Sequence, residues 1–241
     1  MILLGAGCAL VLVVAVIAAI QFAKGRAKEL APMANAPDAV QRPVIAGTSP
    51  AHEPAPQKEA NRTLKPSMPE PQLPAWKPDS LMLAKLASEL DVDNYRVQPP
   101  KGYFPVQPVG FVPPPEARAF FWASENRENG TAGSFMIMLM ALPPGEELPS
   151  LEYAHEQMME GIKRRRESWQ AFRAEDGILG GIHFRRSRWS GLDANLGPMH
   201  GFSYTAFDGR TLIQISSQDV DDYQEEALKI AEAAVLTFRR R

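Results

Sequence analysis

The residues best placed to do chemistry stand in one run, His183-Phe184-Arg185-Arg186-Ser187-Arg188-Trp189. Three arginines and a tryptophan on one strand could grip an acidic or aromatic partner by bidentate pairing and stacking. Alternation puts His183, Arg185 and Trp189 on one face and Arg186 with Arg188 on the other. Ile182 and Phe184 mark the second face as core, so His183, Arg185 and Trp189 are the expected binding set. The plainer reading, a solvated strand whose arginines pair with carboxylates on a neighbouring strand, is favoured about 2 to 1.

Other chemistry is thin. The four histidines, His52, His155, His183 and His200, show no metal-ligand spacing, and His155-Glu156 lacks the second histidine of a zinc-protease helix. Gly177 to Gly181 has the glycines of a phosphate loop, but a strand follows it where a phosphate cradle opens a helix, so it reads as a turn. Met136, Met138 and Met140 share one strand face and could hold Cu(I), yet no His or Cys stands near them and methionine is ordinary core filler. The one cysteine, Cys8, lies in the apolar N-terminal run, and no nucleophile elbow or carboxylate pair stands out. No cofactor and no metal are expected.

Three zones position these residues. Residues 1–28 hold an uncharged stretch, Ile2 to Ala23, followed by Lys24, Arg26 and Lys28. At 1.5 Å per residue such a stretch matches the roughly 30 Å thickness of a bilayer's hydrocarbon, so a single-pass anchor through residues 2–23 is expected. It lacks the basic start and the nearby cleavage site of a signal peptide. The positive-inside rule then places the rest of the chain in the cytoplasm; a basic segment ahead of Met1 would reverse this.

Residues 29–79 carry 11 of the 22 prolines and one aromatic, Trp76. With no apolar period they read as a disordered tether, spanning roughly 40 Å as a coil. Pro66-Ser67-Met68-Pro69 is a candidate docking motif for a proline-recognition module, though a plain spacer is the commoner use of such sequence.

Residues 80–241 have 18 Lys+Arg against 22 Asp+Glu, which argues against nucleic acid. A helix is expected from Ser80 through Leu83, Leu86 and Leu90, then an extended piece at Tyr95-Arg96-Val97. Strands follow at Ala119 to Ser124 and Ser134 to Leu142, joined by a hairpin at Asn129-Gly130. The second is apolar on both faces and belongs in the middle of a covered sheet. A helix capped by Ser150 carries Leu151, Ala154, Met158, Ile162 and Trp169 at helical spacing. The strand Ile182 to Trp189 and a turn region to Pro198 come next, then strands Met199 to Phe207 and Arg210 to Ser216 hinged at Asp208-Gly209. Asp219 is expected to open a last helix with a stripe of Tyr223, Ala227, Ile230, Ala234 and Phe238, closed by Arg239 to Arg241.

Tyr95-Arg96-Val97 leading into Pro100-Lys101-Gly102-Tyr103, and the Asp208-Gly209 hairpin followed by a helix ending Val235-Leu236-Thr237-Phe238, together resemble the PsbP family of photosystem II extrinsic proteins and their non-photosynthetic relatives. The resemblance covers about Leu90 to Arg241. It implies an α+β fold, an antiparallel sheet flanked by helices in an α-β-α sandwich, and binding or assembly roles more than catalysis. The resulting expectation is a membrane-tethered, non-catalytic binding or assembly domain with a protein partner. The runner-up is a tethered enzyme whose site spacing cannot reveal, and a third option is a carrier of a small apolar ligand.

Overall fold

The computed structural model describes residues 73–108, 111–128 and 130–241. The expected anchor at residues 2–23 lies outside them, as do most of the tether and Asn129 of the expected hairpin. Among the described residues no helix is long and apolar enough to cross a membrane.

The centre is an antiparallel sheet of eight strands. β3 (Phe104–Pro105), β4 (Ala117–Ala123), β5 (Ser134–Ala141), β10 (Thr211–Val220), β9 (Gly197–Asp208) and β8 (Ile182–Asp193) lie side by side in that order. β6 (Glu167–Ala171) and β7 (Glu175–Leu179) both pair with β8, one after the other along its outer edge. A second sheet of three short strands joins β1 (Leu90–Val92), β2 (Tyr95–Val97) and β11 (Arg239–Arg240).

β5 is flanked by β4 and β10, and Phe135 through Met140 are all buried. Its two apolar faces serve two cores, as the both-sided pattern requires. On one side Met136, Met138 and Met140 meet Met158 and Ile162 of α2 (Leu151–Lys163). On the other, Phe135, Ile137 and Leu139 share a core with Ala231, Ala234 and Val235 of α3 (Gln224–Val235). The methionine trio is thus ordinary packing beneath a helix, the use that thioether side chains most often serve.

Several expected boundaries move. The first helix, α1, spans only Ser80–Leu83, and Asp79 caps it, accepting from the Leu81 N–H. Leu90 belongs to β1. α2 stops at Lys163, so Trp169 leaves the helical stripe and sits on β6. Asp219 stays in β10, and α3 begins at Gln224. β8 and β9 consume most of the supposed turn region, leaving only 194–196 between them. Gly180 and Gly181, both with positive φ, turn β7 into β8, which is the turn that the glycine run implied.

Composition assigned residues 73–79 to the tether, yet they belong to the folded unit. Ala75 bridges Ile178 of β7 in parallel, with Trp76 N–H donating to Ile178 O at 3.0 Å and Ile178 N–H to Pro74 O at 2.9 Å. The Trp76 ring lies edge-on to Tyr204 at 5.6 Å and under the Arg186 guanidinium at 4.4 Å. Gly177 leaves the room for it, since a Cβ there would strike the indole. Trp76→Ala should lower stability by about 1–2 kcal/mol, from lost packing and the cation–π contact. An unchanged urea midpoint would place the boundary back at Ser80.

Candidate functional site

β8 follows the alternation expected of it. Arg186 and Arg188 turn towards α3, where both reach Glu232. Arg185 turns the other way and reaches Glu152 of α2 at 3.3 Å. The three residues of the expected binding set do not share a surface. Trp189 is buried, 2 % exposed, stacked on Trp169 at 5.4 Å, and Gly201 of β9 lies so close that a Cβ would meet its ring. An indole this covered is core and offers no face to a partner. Alternation alone identified its side of the strand but not that β6 and α2 would cover it.

Arg185 and His183 converge instead on one neighbour. Asp176 lies directly across from Arg185 in the β7–β8 register and accepts from its guanidinium at 2.8 Å. The His183 ring stands 3.2 Å from the other Asp176 oxygen. Glu175 does the same for its register partner Arg186, at 2.7 Å. Arg185 and Arg186 are therefore matched by carboxylates one strand away, the plainer of the two readings, while Arg188 is matched from α3.

On the α3 side this pairing opens into a cleft. Glu232 gathers Arg186 at 3.0 Å, Arg188 at 2.6 Å and the Tyr204 hydroxyl at 3.0 Å. Burial, with the Glu232 charge adding to it, pushes the Tyr204 phenol above its ordinary pKa, so it stays a neutral donor. Beside this knot, β8, β9 and α3 bound a cavity of about 240 Å³. Phe172, just beyond β6 and 55 % exposed, forms one wall, and Leu228 of α3 is part of another. Two ion pairs stand on its lining, Arg188 with Glu232 and Lys229 with Glu225 at 2.9 Å. The cleft is thus amphipathic and balanced in charge.

A second group, which spacing missed, is sealed beneath α2. His155 is 2 % exposed, with Nδ1 3.0 Å from Thr205 Oγ1 and Nε2 2.9 Å from Ser187 Oγ. Thr205 donates to Met158 Sδ, so it accepts from Nδ1–H, and Nε2 accepts the Ser187 proton. Burial, and then the nearby Arg185 charge, lower the His155 pKa to about 4. The Ser–His contact has the polarity of an activated nucleophile. Ser187 is only 5 % exposed, however, and no substrate reaches it in this conformation. Gln214 and Ser203, on the same side of the sheet, have side-chain polar atoms with no hydrogen-bond partner. The signal in the sequence was Ser187, Ser203 and Thr205 at inward strand positions, polar where the pattern called for apolar residues.

Among the described residues no cluster of three or more His, Cys, Asp or Glu could hold a metal ion. His200 pairs with Asp221 at 2.7 Å, away from the other histidines' contacts.

No family model matches the sequence, and no curated protein matches it. Solved structures give a weak likeness of fold. The cyanobacterial PsbP protein CyanoP of Synechocystis sp. PCC 6803 is 12% identical, with a TM-score of 0.48 over 66% of this chain and 94% of that one. LpqN of Mycobacterium tuberculosis, described as involved in cell envelope biogenesis, is 11% identical, with a TM-score of 0.48 over 69% of this chain and 98% of that one. The domain is a β-rich antiparallel fold with a few helices that weakly resembles PsbP.

Proposed function

We propose that this chain is a membrane-tethered, non-catalytic binding or assembly domain that takes its partner in the cleft between β8, β9 and α3. The observation that carries the reading is the cleft itself: an open concavity of about 240 Å³ with an exposed aromatic wall and paired charges on its lining. Exposed aromatics beside arginines are the residue types that dominate recognition energies. The uncharged run from Ile2 to Ala23 supports the tether. The buried state of Ser187 and His155 favours binding over hydrolysis.

The test uses the full chain in membranes with Phe172→Ala and Arg188→Glu. Both side chains are more than half exposed, so melting temperatures should stay within a few degrees of the parent. Capture of a partner identified by mass spectrometry should fall at least tenfold in both variants. Equal capture by parent and variants would refute the cleft as the recognition site, and loss of the chain from the membrane pellet only on deletion of residues 2–23 would support the anchor.

A further inference from the structure

Trp189 is core by its faces, yet its edge keeps an unmet need. The residue is 2 % exposed, and its Nε1–H has no hydrogen-bond partner in the protein. The register gives the direction of that N–H. Gly201 of β9 stands between Trp189 of β8 and Gln218 of β10, and a Cβ on Gly201 would meet the indole Cε2 and Cζ2. The indole therefore lies across β9, and Nε1, bonded to Cε2, sits on the edge that leads towards β10. A recess of about 10 Å³ opens there, lined by Trp189, by Ser216 and Gln218 of β10, and by Met136 of β5. A donor buried without an acceptor costs its full desolvation, so this N–H marks a place for an acceptor.

The recess is the inner end of a larger pocket. Phe121, Ser134 and Gln218 line both it and a vestibule of about 80 Å³ beside the β4–β5 loop. Val106, Phe121, Leu196, Met199 and Val220 give the vestibule its apolar walls. No residue lining either space carries a charge, in contrast with the cleft beside α3. The Arg166 guanidinium that reaches Gln218 is already matched by Asp193 at 3.0 Å. An ion would enter unpaired, at a cost that an uncharged molecule avoids. A cavity of about 150 Å³ accommodates a benzene ring, so these smaller spaces suit a short chain.

We propose that this pocket is a second binding site, for an uncharged short-chain molecule bearing a hydrogen-bond acceptor oxygen, such as a small ketone or amide. It enters head first, with its oxygen on Trp189 Nε1–H and its apolar chain against Phe121, Met199 and Val220. These residues belong to the core that α2 covers, so the site is independent of the cleft beside α3.

The test uses the full chain as isolated, labelled with nitrogen-15 at its four tryptophan indoles, with butan-2-one as the probe. The Trp189 indole peak, identified by its loss in Trp189→Phe, should shift saturably with a dissociation constant on the order of millimolar. The Trp76 peak, from the other side of the sheet, should stay in place. Butyrate should bind at least tenfold more weakly. Leu196→Phe narrows the vestibule at a half-buried turn position and should weaken butan-2-one at least fivefold at an unchanged melting temperature. A Trp189 peak that stays still would overturn the proposal and assign the recess to ordered water. Four peaks moving together in proportion to concentration would overturn it as a solvent effect. Equal binding of butyrate would overturn the uncharged class, and a folded Leu196→Phe that binds like the parent would overturn the vestibule as the site.

Discussion

Arg127→Ala should destabilise the domain by about 3–5 kcal/mol, the usual cost of removing one partner from a buried ion pair. The Arg127 guanidinium makes two parallel bonds, at 2.6 and 2.7 Å, to the carboxylate of Asp219, whose side chain is 1 % exposed. That pair ties the loop between β4 and β5 to the end of β10. Tyr223 stacks beneath the guanidinium at 4.0 Å. Gly133 completes the packing, because a Cβ there would run into Tyr103 and Asp219. Remove the arginine and the buried Asp219 side chain loses two of its donors in a place water barely reaches, with the Val220 N–H as a donor that remains. A loss of this size lowers the melting temperature by about 10 °C in a domain of this length. Adding Asp219→Asn to Arg127→Ala should recover part of the loss, since the stranded charge goes with it. A single variant within 1 kcal/mol of the parent would show that the pair is not the tie described.

Acid should weaken the domain through His155, by about 3 kcal/mol in all. The folded pKa of about 4 lies below the ordinary value of 6.5. Between those values the unfolded chain binds a proton that the folded one refuses. The contribution is complete above about pH 6.5, declines as pH falls through the window, and is exhausted below about pH 4. Arg185 on β8 opposes the proton and Asp176 on β7 favours it, and burial outweighs both. Carboxylates also titrate at the lower end, so the comparison is with His155→Gln, whose amide can both donate and accept. Denaturant midpoints at pH 7 and pH 4.5 should differ more for the parent than for the variant, by an amount equivalent to about 2 kcal/mol or more. Parallel pH profiles would show that His155 takes its proton without opening the structure.

The sequence made the strands and their faces legible where one side chain type dominated. β5 reads correctly because six consecutive buried residues must be covered on both sides. The last hairpin reads correctly to within one residue: Asp208 still pairs with Thr211, and the two-residue turn is Gly209-Arg210, with Gly209 at positive φ. The end of α2 did not, because Trp169 happens to continue the helical stripe while the chain has already turned into β6. Asp219 resembles a helix cap in sequence, and only its distant partner Arg127 explains why it is buried in a strand. The site suffered the same limit. Residues one strand apart in register, such as Arg185 with Asp176, are paired by the fold and not by spacing. Trp189 was singled out for its chemistry and proved to be core, because what covers a residue is set by elements far along the chain.

The attachment of Ala75 to β7 bears on how the domain carries a mechanical load. A pull on the chain ahead of Leu73 along the line of β7 acts along the strand, against the two hydrogen bonds that the Ile178 N–H and C=O make to Pro74 and Trp76, and against Trp76 wedged beneath Arg186. Loading of this kind shears a pairing, and bonds that share a shear force resist together where bonds peeled from an end yield one at a time. The attachment of Ala75 to β7 is in that sense a strain relief: tension applied ahead of it is taken up at the outer edge of β7, and the sheet strands that form the cleft floor feel it last.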